Sequence, residues 1–276
     1  MNFRLVGRYL FIYQMPKTGS QTVLATLEQC SLPHQIFRFH FLSDQIATSL
    51  ENAINSGRAS DEWQELARDQ LRTRTTIQWI IRARKWLRLC RIKVPKLDVI
   101  TSVREPIGLA LSSTFENHSF LFSDLDAATA ENCRAELMRP KCLKQIQNWF
   151  DLELKPHLGL DIYATRFPQR KGYAIYEHEF ARFLVFRYEA IRALPAMLSE
   201  FLGCCVPTII NRNRSDSKDY AAMYAQVKQQ LRLPLDFLRA QYSTRMMQHF
   251  YSDDERRELM QRWGEEAETR SLSPSM

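Results

Sequence analysis

Several patterns that mark well-known protein classes are missing from this 276-residue chain. No stretch approaches the roughly 20 consecutive apolar residues that a membrane-spanning helix requires. The six cysteines form no C-x-x-C pair, and no metal site is indicated; in a reducing compartment we expect them to be free thiols. Zinc-finger spacing, RNA-binding signatures, internal repeats and low-complexity linkers are also missing, so the net charge of +7 does not indicate a nucleic-acid partner.

The chain is predicted to form one domain over residues 1–264, followed by a polar tail over residues 265–276. The first predicted strand begins close to Met1 and leaves no room for a signal peptide, so we expect a cytoplasmic protein. The positive net charge suits an anionic ligand such as a nucleotide, and also an acidic glycan.

A strand, a tight turn and a helix start are predicted near the beginning of the chain. The apolar run from Tyr9 to Tyr13 precedes the turn, and helix-forming residues follow it. Backbone N–H groups and the positive end of a helix dipole converge at such a turn, which favours a phosphate or sulfate group. The turn carries a lysine, one glycine and three hydroxyls, in the order Met15-Pro16-Lys17-Thr18-Gly19-Ser20-Gln21-Thr22. It lacks the two glycines of a Walker A sequence, and an ordinary turn with a capping threonine is the alternative.

A second strand, turn and helix start is predicted further along the chain. The run Leu97–Val103 ends at Arg104, and Pro106 opens the next helix, where its missing N–H costs nothing. Ser112 lies eight positions after Arg104, just over two helical turns, so the two side chains can share a ligand. An arginine fork with a nearby hydroxyl suits a terminal phosphate monoester. The alternative is an ion pair between Arg104 and Glu105, with Ser112 bonded to its own helix.

Together the two motifs resemble the cofactor motifs of the sulfotransferases, which use 3′-phosphoadenosine 5′-phosphosulfate (PAPS) as the sulfate donor. In that family the first loop holds the 5′-phosphosulfate, and the arginine and the serine hold the 3′-phosphate. The resemblance therefore implies that Arg104 and Ser112 bind the 3′-phosphate. It also implies that the first turn lines the sulfate side, through Lys17, Thr18, Gly19, Ser20, Gln21 and Thr22.

Later segments extend the resemblance over nearly the whole chain. Phe186-Arg187-Tyr188-Glu189 is similar to the strand and R-Y-E turn of sulfotransferases. The C-terminal part resembles a bacterial branch named for capsular polysaccharide synthesis, through Asn211-Arg212-Asn213, Asp219-Tyr220, Tyr224, Leu233-Pro234 and His249-Phe250-Tyr251-Ser252. Arg170-Lys171-Gly172 is similar to a 3′-phosphate triplet of some sulfotransferases, but it precedes the R-Y-E strand, so we predict a hairpin turn there.

Sulfuryl transfer needs a base that takes the proton of the acceptor hydroxyl, and the histidines are candidates. His40 follows a short alternating run that fits a second strand, and sulfotransferases that act on glycans often carry H-x-H at this point, so the resemblance favours His40 as the base. Arg38 replaces the first histidine of that pattern, and an adjacent cation lowers the pKa of an imidazole and keeps it neutral. His118 is the rival base, or else a cap at a helix end. We expect Lys17 to stabilise charge on the leaving group.

The remaining segments are predicted mainly as helices. A long helix from Asp61 to Cys90 contains a basic amphipathic stretch over residues 72–88. This stretch either packs in the core with its arginines reaching water, which we favour, or contacts an anionic membrane or an acidic polysaccharide. Further helices are expected over residues 127–150, 217–231 and 253–263, and short strands over residues 160–165, 173–177 and 182–187.

We therefore expect a three-layer α/β/α domain with a central, mostly parallel sheet, the P-loop-like fold of the sulfotransferases and a helical C-terminal part. The predicted reaction moves a sulfuryl group from PAPS to a hydroxyl of a carbohydrate acceptor, a saccharide or a polysaccharide, without a metal. Two alternatives stay open. A P-loop kinase would use ATP with magnesium, and its Walker B aspartate would lie at the end of a strand, whereas Asp98 sits near the beginning of its strand. A non-catalytic capsular polysaccharide assembly protein would have a degenerate sulfotransferase fold.

Overall fold

The computed structural model describes residues 7–57, 61–122, 124–139, 142–212 and 218–265. Its strands are β1 (Arg8–Tyr13), β2 (His34–Phe39), β3 (Leu97–Val103), β4 (Tyr173–Glu177) and β5 (Ala181–Arg187). They form one sheet in the order β2-β1-β3-β5-β4, in which β4 alone pairs with its neighbour in the antiparallel direction. The predicted α/β class and the mostly parallel sheet are thus confirmed.

The sheet carries a separate core on each of its faces. In β1, Tyr9, Phe11 and Tyr13 belong to one core, whereas Leu10 and Ile12 belong to the other. Successive side chains of a strand point to opposite faces, so this division follows directly from the apolar sequence of β1. All seven residues of the central strand β3 are buried, as expected for a parallel strand with helices on both sides.

The helices of the described residues are α1 (Ser20–Leu27), α2 (Asp44–Asn55), α3 (Asp61–Leu89), α4 (Pro106–Glu116), α5 (His118–Leu121), α6 (Ala130–Leu137), α7 (Cys142–Gln147), α8 (Lys155–Leu158), α9 (Leu194–Leu202), α10 (Ala221–Gln230), α11 (Leu235–Tyr242), α12 (Arg245–Phe250) and α13 (Asp253–Trp263). A π-helical turn spans Phe150–Leu154, and 3-10 turns span Ile162–Ala164 and Tyr188–Ala193. Helices α1 and α9 cover the face of Leu10 and Ile12, and α3, α4 and α11 contribute to the core on the other face.

One predicted strand is wrong. Residues 160–165 do not pair with the sheet and instead contain a 3-10 turn, in which the Asp161 side chain accepts from Tyr163 N at 3.1 Å. Leu160 and Ile162 are both buried, so the apolar pattern reflects packing of an irregular segment. The strands predicted over residues 97–103, 173–177 and 182–187 are found as β3, β4 and β5.

The long predicted helix is α3, and it runs from the carboxyl edge of the sheet to the amino edge. Gln78 Nε2 donates to Leu42 O at 2.9 Å just after β2, whereas Arg88 Nη1 donates to Glu179 O at 2.6 Å just before β5. One face of α3 is buried in the core through Ile77, Ile80, Ile81, Arg84 and Leu87. The favoured core interpretation is therefore correct for this face of the helix.

No helix within the described ranges is long and apolar enough to cross a membrane. Across the same ranges, no group of three or more His, Cys, Asp and Glu side chains is arranged to hold a metal ion. The cysteines with described side chains are free thiols. Of the predicted tail only Glu265 is described, and it pairs with Arg134 at 2.6 Å. Residues 266–276 and Asn213 lie outside the described residues.

Candidate functional site

The two predicted turns lie side by side at the carboxyl edge of the sheet. Strands β1 and β3 are neighbours, so the turns that follow them start from adjacent positions. Arg104 Nη1 donates to the carbonyl oxygen of Lys17 at 2.9 Å, and Ser102 Oγ donates to that of Thr18 at 3.1 Å. The second turn thus holds the backbone of the first turn directly.

The backbone of the first turn curves around an open helix start. Lys17 has a φ of 63° and Gly19 a φ of 91°, both in the left-handed region, which turns neighbouring N–H groups into an anion-binding concavity. Gly19 precedes α1 without a side-chain cap, and the first turn of α1 has no acidic residue. The positive end of α1 is therefore available to an anion.

Tyr188 connects the two turns through its ring. The Arg104 guanidinium lies over this ring, with 4.4 Å between Arg104 Cζ and the ring centroid. A Cβ on Gly19 would lie 3.3 Å from Tyr188 Cε2 and 2.7 Å from Ile191 Cδ1. Glycine at position 19 is thus required both by its positive φ and by the close approach of these two side chains.

Two hydroxyls of the first turn stabilise its shape. Thr18 is buried, and its Oγ1 donates to Met15 O at 2.6 Å. Thr22 Oγ1 donates to Arg212 O at 3.2 Å and accepts from Arg212 N at 3.3 Å. Thr18 therefore closes the turn, and Thr22 attaches the segment around Arg212 to α1.

The Lys17 side chain reaches the end of α4. Lys17 Nζ lies 3.0 Å from Glu116 Oε2, and Tyr220 donates to the same oxygen at 2.6 Å. Burial alone would raise the pKa of Glu116, but the Tyr220 hydrogen bond and the Lys17 charge outweigh it and lower the pKa. Glu116 is therefore ionised at neutral pH and holds the lysine beside the turn.

The start of α4 differs from that of α1, because the side chain of Glu105 caps α4. The buried Glu105 carboxylate accepts from Ile107 N at 2.9 Å and from Gly108 N at 2.6 Å. An anion beside Arg104 would therefore meet side chains and not the N–H groups of α4. Arg104 Nη2 lies 3.8 Å from where a Cβ on Gly108 would stand, and Ser112 follows one turn later on that side of α4.

The R-Y-E turn fixes the start of α4 through Glu189. Its carboxylate accepts from Glu105 N at 3.1 Å and from the Tyr251 hydroxyl at 2.9 Å. Arg187 donates to Glu255, in the first turn of α13, at 2.6 Å. The turn after β5 thus connects the second motif to the C-terminal helices.

Lys228, on the C-terminal helices, lies close enough to Arg262 and to Arg104 for their charges to interact. Burial lowers the pKa of Lys228, and the charges of Arg262 and Arg104 lower it further, whereas the Glu105 charge opposes them. Lys228 lies on α10 and Arg262 on α13. Cations from three separate elements thus lie around the second turn, together with the carboxylates of Glu105 and Glu189.

His40 lies just after β2, and both of its ring nitrogens contact protein groups. A carbonyl oxygen can only accept, so the 2.9 Å contact between Nδ1 and Gln14 O places the proton on Nδ1. Nε2 faces Arg38 Nη1 at 3.4 Å. Burial lowers the pKa of His40 to about 4, and the charges of Arg38 and Lys17 act in the same direction. The imidazole is thus neutral at pH 7, with its lone pair turned toward an arginine.

A buried carboxylate holds the segment that follows His40. Glu153, in the π-helical turn, accepts from the Tyr13 hydroxyl at 2.7 Å and from Leu42 N, and it also bonds Ser43. Glu153 therefore ties the end of β1 to the segment after β2, and so fixes where His40 stands relative to the first turn.

The other predicted residues have the following positions. Ser20 is buried and Gln21 half-buried at the start of α1. His118 Nδ1 contacts Phe115 O at 2.8 Å, which is the capping contact considered as the alternative to a base. Arg170-Lys171-Gly172 forms a turn that leads into β4, where Gly172 N donates to Pro168 O at 3.0 Å.

Glu116, Tyr220, Lys228 and Arg262 could not be identified as site residues from the sequence. Glu116 and Tyr220 lie 104 positions apart, so no local pattern joins them. The R-Y-E motif did mark Tyr188 and Glu189, although not their contacts with the two turns. An acidic residue at the end of the helix that begins after Arg104 was the available signal for Glu116.

A family model matches part of the chain. NKWYS, described as "Putative capsular polysaccharide synthesis protein", matches residues 123–252, just under half of the 276 residues. No curated protein and no solved structure matches the chain. Residues 123–252 are therefore similar to a capsular polysaccharide synthesis family, as the resemblance in the sequence implied.

The matched segment contains one side of the candidate site. Tyr188, Glu189 and Tyr220, which contact the two turns or their partners, lie within it. Lys17 and Arg104 precede it, so the similarity extends to the supporting residues of the site and not to the turns themselves.

Proposed function

We propose that the protein is a sulfotransferase, which moves a sulfuryl group from PAPS to a hydroxyl of a saccharide or polysaccharide. The contact between the two turns carries this proposal, because Arg104 donates to Lys17 O at 2.9 Å. This contact joins an open helix start and a cationic second turn in one region, which suits a ligand with two anionic ends. The similarity of residues 123–252 to a capsular polysaccharide synthesis family supports a saccharide acceptor.

The donor set of this region fits the nucleotide. The left-handed turn at Lys17 and Gly19, with the uncapped start of α1, offers N–H groups to the sulfate end. Arg104 and Ser112 offer a guanidinium and a hydroxyl to the 3′-phosphate, and Lys228 adds positive charge there. Lys17 is the cation that stabilises negative charge on the leaving group.

In the proposed reaction the acceptor oxygen bonds to sulfur, the bond from sulfur to the 5′-phosphate oxygen breaks, and the hydroxyl proton passes to a protein base. His40 is the predicted base, and its low pKa keeps it neutral, although its lone pair faces Arg38. Glu116 joins the rival His118 as a further candidate, because its ionised carboxylate lies 3.0 Å from Lys17 Nζ.

Nucleotide preference tests the proposal against the two alternatives. Thermal unfolding is measured with 3′,5′-adenosine bisphosphate, with magnesium ATP and without nucleotide. A sulfotransferase is stabilised by the bisphosphate, a kinase by magnesium ATP, and a non-catalytic protein by neither. The structure favours the first over the kinase, since Asp98 pairs with His34 at 2.9 Å and Arg182 at 2.8 Å at the amino edge, far from a Walker B position.

Arg104→Ala tests the predicted 3′-phosphate contact. Loss of a charge-assisted hydrogen bond to phosphate should weaken binding of 3′,5′-adenosine bisphosphate by about 2 kcal/mol, or roughly thirtyfold, in calorimetry. Arg239→Ala is the matched control, because this arginine side chain is 68% exposed on α11 and should leave the affinity unchanged. Equal affinities of the two variants would remove Arg104 from the site.

Single substitutions of the candidate bases separate binding from turnover. His40→Asn, Glu116→Gln and His118→Asn are each assayed with radiolabelled PAPS and a glycan pool from a cell extract. Loss of the true base should lower turnover by about a hundredfold or more and leave bisphosphate affinity intact. If all three variants retain full turnover, the proton passes to another group.

A further inference from the structure

The C-terminal part of α3 and the turn that follows it expose large apolar side chains. Trp79 is 51% exposed, Trp86 61%, Leu89 83% and Ile92 45%; we call these four residues the α3 patch. Five of the nine large apolar side chains that are exposed in the described ranges lie between Leu66 and Ile92. Single exposed apolar residues are ordinary, but a cluster of this kind marks an interaction surface.

The patch is continuous along one face of the helix. Trp86 follows Trp79 by seven residues, or about two turns, and Leu89 follows Trp86 by three, so the three side chains lie on one side of α3. Beyond the helix, Ile92 N donates to Leu87 O at 2.9 Å, which fixes the turn that carries Ile92 beside the helix end. The opposite face of α3 is buried in the core, so the patch points away from the protein.

The surroundings of the patch are strongly basic. Residues 72–93 contain eight lysine and arginine residues and no aspartate or glutamate. Arg82, between the two tryptophans, is exposed, as are Arg91 and Lys93 beyond the helix. Lys85 and Arg88 donate to the backbone oxygens of His157 and Glu179, which carry no formal charge. Of the eight cations, Arg74 pairs with Asp44 and Arg84 is buried, so the positive charge of this surface comes mainly from Arg82, Lys85, Arg88, Arg91 and Lys93.

We propose that the α3 patch docks on an anionic lipid surface, with Trp86 and Leu89 entering the headgroup region and the arginines and lysines pairing with lipid phosphates. Tryptophan has an apolar body and a polar N–H, which suits the membrane interface. An acidic polysaccharide would also attract the charges and stack on the tryptophans, but Leu89 and Ile92 have no ring face to stack and gain only from apolar surroundings.

The location of the patch is compatible with an accessible candidate site. Helix α3 ends at the amino edge of the sheet, whereas the Lys17 and Arg104 turns lie at the carboxyl edge. Trp86, Leu89 and Ile92 lie toward the amino edge, so a protein attached through these three residues keeps the two turns away from the lipid. The proposal does not depend on the reaction, since it rests on surface residues outside the candidate site.

Vesicle sedimentation of the full chain tests the proposal. Vesicles of phosphatidylcholine alone are compared with vesicles that also contain phosphatidylglycerol. The protein should sediment with the anionic vesicles and not with the neutral ones, and added salt should release it. Failure to sediment with the anionic vesicles, or equal sedimentation with both kinds, would overturn the proposal.

Matched variants assign the binding to the patch. The double variant Trp86→Ser and Leu89→Ser should weaken vesicle binding at least about tenfold, because it removes two large apolar side chains. Charge reversal by Arg82→Glu and Lys93→Glu should weaken it by about 25-fold or more, at about fivefold for each positive charge removed. Leu66→Ser is the control, since Leu66 is 54% exposed on the same helix but precedes the basic half.

Two results would contradict the assignment. The first is that both double variants bind vesicles as tightly as the wild type does, while thermal unfolding shows that they are folded. The second is a wild type that binds an immobilised acidic polysaccharide but no vesicles, together with loss of the polysaccharide binding in the same two variants. That result would assign the patch to a saccharide.

Discussion

Acid should destabilise this protein through His40, by an amount that follows from its pKa. Burial lowers this pKa from 6.5 to about 4 in the folded protein. Between these two values the unfolded chain binds more protons than the folded protein, so the free energy of unfolding falls as the pH falls. The stability that the neutral His40 contributes is fully present above the pKa of the unfolded chain, and it is lost by the time the pH reaches the pKa of the folded protein. At about 1.4 kcal/mol per pKa unit, the loss from His40 is about 3 kcal/mol.

The variant His40→Asn isolates this contribution. Its amide can still donate to Gln14 O, and it carries no titrating group. Urea unfolding of both proteins is followed from neutral pH to about pH 4, the folded pKa. Carboxylates titrate in both proteins and cancel in the difference, so the wild type should lose about 3 kcal/mol more than the variant across this range.

An NMR titration of the His40 ring gives the same quantity directly. Arg38→Met should move the His40 pKa upward, because the Arg38 charge is one of the causes that lower it. The reasoning is refuted if the stabilities of wild type and His40→Asn run parallel with pH, or if the ring titrates near the 6.5 of an ordinary histidine.

Two further predictions concern stability. Gly19→Ala should lower the free energy of unfolding by about 2–4 kcal/mol in urea, because residue 19 has a positive φ and its new Cβ would lie 2.7 Å from Ile191 Cδ1. The control Gly57→Ala, with a φ of 64° and open space around it, should lower it by about 1 kcal/mol. Equal costs would show that Ile191 moves aside freely. Glu153→Gln should lower the free energy of unfolding by about 3 kcal/mol, because the new amide N–H groups would face the buried donors that the carboxylate now accepts from. The exposed Glu177→Gln should lower it by less than about 1 kcal/mol. Similar losses for the two variants would show that Glu153 does not hold these segments together.

The sheet could be predicted because buried strands carry a local signal. The β-branched run at residues 97–103 becomes β3 with the same bounds, and the consecutive apolar residues of β1 divide alternately between the two cores. The strand expected over residues 160–165 fails because Leu160 and Ile162 are buried without strand pairing. A short apolar run indicates burial more reliably than it indicates which backbone conformation is buried.

The two turns of the candidate site could also be predicted, since a loop between a strand and a helix has a local signature of glycine, lysine and hydroxyls. The contacts made by these turns could not. Lys17 and Glu116 lie 99 positions apart, and their pairing depends on how α4 packs against the sheet. The contact between the Tyr188 ring and the Arg104 guanidinium could not be predicted either. The R-Y-E motif marks Tyr188, but tertiary packing decides what its ring contacts.

The contrast between the uncapped α1 and the internally capped α4 makes the two turns of the candidate site unlike each other. One turn presents main-chain dipoles, whose orientation is set by the fold, and the other presents long side chains around a helix start that Glu105 already neutralises. An elongated dianion with unequal termini would therefore be sorted head from tail before any chemistry, since the reversed pose would present its compact end to a carboxylate.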